Sequence, residues 1–148
     1  MGSTFLSLHY HLVFSTKHRD TFIQPTWRLR LHEYLGGTVK GLGGVMETIG
    51  GTADHVHLLI ELRATHALAD FVRELKKASS VWVHEEIGVR QFAWQEGYAA
   101  FTVSASGVPK VRSYIQNQEE HHRQRSFLEE MRILLQRSGV SFEDKYLE

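Results

Sequence analysis

Two segments of the chain alternate apolar and polar side chains with a period of two, and each carries a His-x-His pair at its polar positions. The segments are residues 5–14 and residues 55–62. Successive side chains of a β-strand point to opposite faces of the sheet, so each segment predicts a strand with one apolar and one polar face. The histidines on the two polar faces are His9 and His11 in the first segment and His55 and His57 in the second.

The rest of the chain predicts two further strands and four helices. The predicted strands cover residues 45–49 and 92–103, and the predicted helices cover residues 26–40, 66–87, 109–123 and about 126–137. Ser126 and Glu129 have the spacing of a capping box, which opens the last helix, and Gly139 is placed to close it. The predicted order along the chain is β-α-β-β-α-β-α-α.

Strands that are mostly antiparallel, with helices that each need one covered face, predict an α+β fold. We expect an antiparallel sheet with the helices packed on one face. The other face of the sheet would then be open, and both His-x-His pairs would lie on it or near it. A binding surface is therefore expected on that open face.

The composition is that of an ordinary globular protein, with 148 residues, 42% hydrophobic and 23% charged. This length predicts a single domain over residues 1–148. The absence of cysteine excludes disulfides, thiol nucleophiles and thiolate metal sites. Because the start has no leader pattern and no run of about 18 apolar residues occurs, the sequence predicts a cytoplasmic protein without a membrane partner. Seventeen basic and seventeen acidic residues balance, so the net charge by itself is not evidence for a nucleic-acid partner.

Either His-x-His pair has the spacing of two ligands of one metal ion, because a period of two aims both imidazoles to the same side. The pattern is weak evidence by itself. The alternative is a pair of half-exposed histidines on a polar strand face. Strand parity does not distinguish the two pairs from each other.

Tyr114 and Gln118 lie four residues apart in a predicted helix and so share one of its faces. A phenol can act as a nucleophile toward phosphorus, and an amide oxygen can complete a metal site. The alternative is a tyrosine whose ring is simply half-buried. His121 and His122 follow at the end of the same helix, where contact with the helix dipole is the expected role.

Five segments of the chain form one ordered set: residues 9–14 with 17–19, residues 54–60, the amphipathic helix 68–82, residues 94–101, and residues 114–118 with His121 and His122. Together, in this order, they resemble the single-tyrosine HUH transposases, small insertion-sequence enzymes that cut and rejoin single-stranded DNA. The tail from Phe127 to Tyr146 and Leu147 also follows the end of that family. No motif position departs from the family pattern.

The resemblance implies a ferredoxin-like or RRM-like palm and assigns a role to each motif residue. His55 and His57 match the HUH metal ligands, Gln118 matches the third ligand, and Tyr114 matches the nucleophile. The implied cofactor is a divalent metal, Mg²⁺ or Mn²⁺. The implied reaction passes through a 5′-phosphotyrosine link with a free 3′-hydroxyl.

The resemblance also implies the partners. They are single-stranded DNA with hairpin ends and a second copy of the chain, the tyrosine helix of one subunit completing the metal site of the other. Candidate phosphate contacts, chosen for their charge, are Lys17, Arg19, Arg73, Lys76, Lys77, Lys110 and Arg112.

Two other functions remain open. A domesticated relative would bind hairpin DNA or RNA without cutting it. A metal-dependent hydrolase would use His55 and His57 with water as the nucleophile and would not need Tyr114.

Overall fold

The computed structural model describes residues 2–143, and this part of the chain contains a four-stranded antiparallel sheet. Its strands are β1 (His9–Ser15), β2 (Val45–Gly51), β3 (His55–Glu61) and β4 (Ala99–Val103), in the spatial order β2-β3-β1-β4. In the register, Leu12 of β1 lies opposite Leu58 and Ala100. The predicted α+β class with an antiparallel sheet is confirmed, and the chain order through β4 is the βαββαβ order of ferredoxin-like folds. The tail residues Tyr146 and Leu147 lie outside the described residues.

The helices follow the predicted order with changed boundaries. They are α1 (Pro25–Gly41), α2 (Leu68–Trp82), α3 (Val108–Gln116), α4 (Gln118–His121) and α5 (Phe127–Arg137). Residues Lys17–Arg19 and Ala105–Gly107 form single 3₁₀ turns, and Val83–Ile87 continues α2 as a π-helical turn. Within residues 2–143, no helix combines the length and the apolar character that crossing a membrane requires.

The first face of the sheet carries the larger hydrophobic core. Apolar side chains from β1 and β3 pack there against α1 and α2, because these helices carry apolar stripes at helical spacing. The fully buried members include Leu12, Phe14, Leu58, Ile60, Leu31, Leu35 and Leu75. The alternation read from the sequence therefore assigns the core face of both strands correctly.

The second face is covered, so the expectation of an open face is wrong. Val13 of β1 points to this side and packs against Phe127, Met131 and Leu135 of α5. The side chains of His55 and His57 are fully buried on the same side. The physical reason is that α5 also has an apolar stripe to bury, and the second face offers apolar side chains between its histidines.

Three predicted elements differ from the observed ones. The strand predicted over residues 92–103 forms only at its end, and Trp94 makes an isolated bridge to Thr16 instead. The strand predicted over residues 5–14 begins only at His9. The helix predicted over residues 109–123 breaks at Asn117, whose side-chain amide donates a hydrogen bond of 2.8 Å to the Ser113 carbonyl. Such local bonding competes with the helical pattern.

The last helix begins as the sequence predicts. The Ser126 hydroxyl accepts a hydrogen bond of 3.2 Å from the Glu129 backbone N–H, so Ser126 is the N-cap of α5. Gly139 follows the helix with a φ of 69°, a conformation that glycine adopts without strain. The position of α5 matters because this helix closes the second face of the sheet.

Candidate metal and nucleophile site

The second face of the sheet gathers the sequence-predicted site residues under α3, α4 and α5. His55 and His57 come from β3, Tyr114 from α3 and Gln118 from α4. Both histidines and Gln118 are at most 1% exposed. The break at Asn117 does not separate Tyr114 from Gln118, because both side chains contact the same carboxylate, that of Glu130.

A glycine in β2 allows α3 to approach the sheet. A Cβ atom on Gly50 would lie 2.1 Å from the carbonyl oxygen of Ile115, the residue that follows Tyr114. No side chain fits at that distance, so only glycine permits this contact between strand and helix. The glycine therefore sets the depth at which Tyr114 sits over the sheet.

His55 has a defined orientation. Its Nδ1 atom lies 2.7 Å from an Asp54 carboxylate oxygen and 3.1 Å from the Thr52 hydroxyl. Burial raises the pKa of Asp54, but its contacts with His55 and Thr52 outweigh this and lower it overall, so the carboxylate is ionised at neutral pH and only accepts. In neutral His55 the proton consequently sits on Nδ1, and the Nε2 lone pair points into the site.

Gln118 presents its amide oxygen to His55. The Gln118 side-chain N–H donates a hydrogen bond of 3.0 Å to Glu130, which fixes the orientation of the amide. The Gln118 Oε1 atom then lies 2.9 Å from the Nε2 atom of His55. Two acceptor atoms that face each other at this distance fit a shared cation, so the donor set suits a divalent metal.

Glu130 of α5 lies at the centre of the site, although it is not among the residues predicted from the sequence. Its carboxylate is 1% exposed and contacts the five side chains around it. We call this group the Glu130 cluster: Glu130 with His55, His57, Tyr114, Gln118 and His122. The sequence does contain a signal for it. Glu130 lies on the apolar stripe of α5, between Phe127 and Leu134, where a buried carboxylate is costly unless it is paired or binds a metal.

His122 also belongs to this cluster rather than serving only the end of its helix. Its Nε2 atom lies 3.2 Å from Gln118 Oε1 and 3.3 Å from Glu130 Oε1. His55, His122 and Glu130 each offer one ligand atom, and these atoms lie within 4.8 Å of one another. The neighbouring His121 stacks its ring on Tyr114, with ring centroids 4.5 Å apart.

The two histidines of the first strand have different surroundings. The Nε2 atom of His11 lies 2.7 Å from Nδ1 of His57, so His11 borders the site. The Nδ1 atom of His9 instead lies 3.0 Å from a Glu47 carboxylate oxygen. Sequence spacing does not indicate that His11 borders the site and His9 does not. The fold makes this distinction.

The site combines a buried negative charge with a protonated phenol. Burial opposes ionisation of Glu130, but hydrogen bonds from His122 and His57 hold its pKa well below the usual range. Burial, together with the hydrogen bond to Glu130, raises the pKa of Tyr114 well above its usual value. Tyr114 therefore donates its O–H to the Glu130 carboxylate.

The seven candidate DNA contacts lie on several elements outside the cluster. Lys17, Arg73, Lys77, Lys110 and Arg112 are exposed. Arg73 is paired with Asp70 at 2.9 Å. Lys76 differs from the rest, because its ammonium donates hydrogen bonds of 2.6 Å to the carbonyls of Gln95 and Gly97 and so ties α2 to the loop before β4.

Comparison with known proteins agrees with this architecture. The family described as Transposase IS200 like matches residues 4–118. The chain is 27% identical over 119 residues to the ISDra2 transposase TnpA of Deinococcus radiodurans, covering 76% of this chain and 85% of that one. It is also 27% identical over 117 residues to the transposase for insertion sequence element IS200 of Salmonella typhimurium, covering 75% of this chain and 76% of that one.

Solved structures show the same fold. A Deinococcus radiodurans R1 crystal structure, described there as a candidate transposase, superposes with a TM-score of 0.63 and 26% identity over 80% of this chain and 96% of the other. A REP-associated tyrosine transposase bound to a REP hairpin superposes with a TM-score of 0.56 and 13% identity over 78% of this chain and 70% of the other, a likeness of fold alone. With more than two thirds of its length matched, the chain belongs to the IS200-like transposase family.

Proposed function

We propose that this chain is a metal-dependent transposase that cleaves and rejoins single-stranded DNA at insertion-sequence ends, with Tyr114 as the nucleophile. One observation carries the proposal. The Tyr114 hydroxyl and the Nε2 atom of His57 both contact the buried Glu130 carboxylate. Gln118 donates to the same carboxylate through its amide N–H and faces His55 Nε2 with its amide oxygen. A tyrosine whose ring only fills space in the core does not require its hydroxyl to contact a buried carboxylate.

His55, His57 and Gln118 are the residues that would hold the metal. Two imidazole nitrogens and an amide oxygen suit Mn²⁺ and also accept Mg²⁺. A divalent cation held there would polarise the scissile phosphate and stabilise the negative charge that develops on it. Membership of a transposase family supports a DNA-cutting and DNA-joining enzyme over a hydrolase that uses water.

The chain itself supplies the nucleophile and a proton acceptor. The Tyr114 oxygen forms a bond to phosphorus while the bond from phosphorus to the 3′-oxygen breaks. The phenolic proton leaves toward the Glu130 carboxylate, which already accepts the hydrogen bond from Tyr114. The departing 3′-oxygen takes a proton from solvent, and attack by another strand's 3′-hydroxyl on the phosphotyrosine reverses the step and joins new ends.

The proposed DNA partner is a single strand with hairpin ends. The exposed cations Lys17, Lys77, Lys110 and Arg112, together with Arg19, Arg73 and Lys76, are the candidate phosphate contacts. Replacing Lys110 and Arg112 with Gln should weaken hairpin binding and flatten its salt dependence. Their position on α3, the helix of Tyr114, makes them the first pair to test.

The proposed assembly is a homodimer in which the tyrosine helix of one subunit serves the metal site of the other. Within one chain, Tyr114 and His57 contact the same carboxylate. A site formed within one subunit and a site shared between two subunits would therefore use the same residues. Mixing Tyr114→Phe protein with His57→Ala protein tests the exchange. DNA adducts that form only after mixing support it, and adducts absent from every mixture contradict it.

The function is tested by looking for a covalent protein–DNA adduct. Purified protein is mixed with Mn²⁺ or Mg²⁺ and with single-stranded oligonucleotides from the DNA flanking its gene, and the products are separated on a denaturing gel. The adduct should form with the unaltered protein and disappear in Tyr114→Phe and His57→Ala. Tyr98→Phe, at a partly exposed tyrosine outside the cluster, is the matched control and should keep the adduct.

Two results would overturn the proposal. Cleavage without an adduct, surviving Tyr114→Phe, would make the protein a metal-dependent hydrolase. Tight hairpin binding without any cleavage would make it a domesticated DNA-binding protein.

A further inference from the structure

The Glu130 carboxylate has a different neighbour at each of its oxygens. Oε1 faces three imidazoles, with the Nε2 atoms of His57, His122 and His55 at 2.9, 3.3 and 3.7 Å. Oε2 accepts from the Tyr114 hydroxyl and, at 3.0 Å, from the Gln118 amide. One oxygen therefore lies among potential metal ligands and the other holds the proposed nucleophile.

One contact beside Oε1 is not explained by hydrogen bonding. Asp54 accepts a hydrogen bond from the Nδ1–H of His55, which leaves an Nε2 lone pair directed toward Gln118 Oε1 and the Glu130 carboxylate. His57 and His122 donate to Glu130 Oε1, but the Nε2 atom of neutral His55 and the Gln118 Oε1 atom are both acceptors and lie 2.9 Å apart with no proton between them. Burial makes such a contact costly unless a cation neutralises it.

The chemistry of the atoms matches one class of ligand. Imidazole nitrogens combined with a carboxylate oxygen form the usual donor set for Mn²⁺ and other divalent transition metals. Glu130 is 1% exposed, so its charge has no access to bulk water. A buried carboxylate is retained where it is paired or binds metal.

We infer that Glu130 is a ligand of the divalent cation through Oε1 while Oε2 holds the Tyr114 hydroxyl. The C-terminal helix α5 is then part of the metal centre, and one carboxylate fixes the distance between cation and nucleophile. The inference rests on the proposed metal-dependent function. It adds Glu130 to the ligand set of His55, His57 and Gln118.

The first test measures Mn²⁺ binding to the metal-free protein without DNA, by titration calorimetry or by the loss of the free Mn²⁺ paramagnetic resonance signal. Glu130→Gln removes the charge but keeps an amide oxygen for Tyr114. It should weaken Mn²⁺ binding by at least about tenfold. Glu129→Gln, at the exposed neighbouring position on α5, is the matched control and should leave the affinity within about twofold.

A second measurement keeps the test decisive if Glu130→Gln does not fold. Crystals of the unaltered protein soaked in Mn²⁺ would be examined by anomalous scattering. An anomalous peak at coordination distance from both Glu130 Oε1 and a His55 or His57 nitrogen supports the inference. A peak at His55 and His57 with the carboxylate turned away overturns it.

The outcomes distinguish the inference from the proposal it rests on. If Glu130→Gln folds and binds Mn²⁺ as tightly as the unaltered protein, the assignment of Glu130 as a metal ligand is wrong, but the proposed metal-dependent function is not contradicted. If the unaltered protein forms the DNA adduct in the presence of a chelator and binds no Mn²⁺, both the assignment of Glu130 as a ligand and the proposed metal dependence are wrong.

Discussion

The Nε2 atom of His11 lies 2.7 Å from the Nδ1 atom of His57, across the two central strands of the sheet. The two residues are diagonal neighbours in the register, since His11 lies opposite Leu59 and His57 opposite Val13. Burial lowers the pKa of His11 to about 3 and that of His57 to about 4. Both rings are therefore neutral at pH 7, and one N–H must lie between them.

This contact predicts a role for His11 in metal binding. A cation on Nε2 of His57 requires the ring proton on Nδ1, and His11 is the acceptor of that proton. His11→Phe should weaken Mn²⁺ binding by about tenfold to a hundredfold. Titration calorimetry checks this, with His9→Phe as control on the same strand and face. Equal affinities for the two variants would contradict the role.

The approach of α3 to β2 predicts that replacing Gly50 lowers both stability and activity. In Gly50→Ala the added methyl group meets the Ile115 carbonyl oxygen, so α3 and its Tyr114 must shift. We expect a loss of about 1–3 kcal/mol in the free energy of unfolding, together with a fall of about a hundredfold in the rate of adduct formation. Denaturant unfolding and the gel assay measure the two effects.

A matched glycine shows whether the effect is specific. Gly37 lies in α1 with nothing within 4 Å of an added Cβ. Gly37→Ala should stabilise the protein by about 0.5–1 kcal/mol, because alanine favours a helix interior, and should leave adduct formation unchanged. Similar losses of activity in both variants would rule out the close approach at Gly50 as the cause.

The buried His32 of α1 predicts a dependence of stability on pH. Burial, helped by the charge of Arg28, lowers the pKa of His32 to about 4, and its Nε2 atom has no hydrogen-bond partner among the described residues. Below an unfolded pKa of about 6.5 the unfolded chain binds the proton first, so stability falls as the pH drops from about 6.5 toward 4. The contribution of this residue is at most about 3 kcal/mol.

His32→Leu isolates this effect. The variant should be more stable than the unaltered protein at pH 7 by about 1 kcal/mol, because an unpaired buried nitrogen is removed. Its loss of stability between pH 6.5 and 4 should also be smaller. Denaturant unfolding at several pH values checks both, and parallel pH curves for the two proteins would refute the assignment.

The N-cap of α5 predicts that Ser126 stabilises the helix that carries Glu130. Ser126→Ala removes the acceptor for the Glu129 N–H and should lower the free energy of unfolding by about 1 kcal/mol. Ser138→Ala, at the exposed other end of α5, is the control and should change it by less than about 0.5 kcal/mol. A cap without effect would show that packing alone defines the start of α5.

The sequence by itself determined the elements whose signals are local. Alternation in residues 5–14 and 55–62 assigned the core face of β1 and β3, and the Ser126 cap located the start of α5. Both patterns depend only on residues within a few positions of each other. The break at Asn117 was missed because the helical spacing of Tyr114 and Gln118 does not reveal that the Asn117 side chain bonds the Ser113 carbonyl.

Tertiary structure decided which of the polar residues form one site. His55 and His57 have the same spacing as His9 and His11, so parity could not separate the pairs, and the resemblance to a known family did so instead. Only the docking of α5 onto the second face brought Glu130 to His57, a residue 73 positions away, and buried the face expected to be open. Such contacts depend on how whole elements pack, which the period of a single strand or helix does not encode.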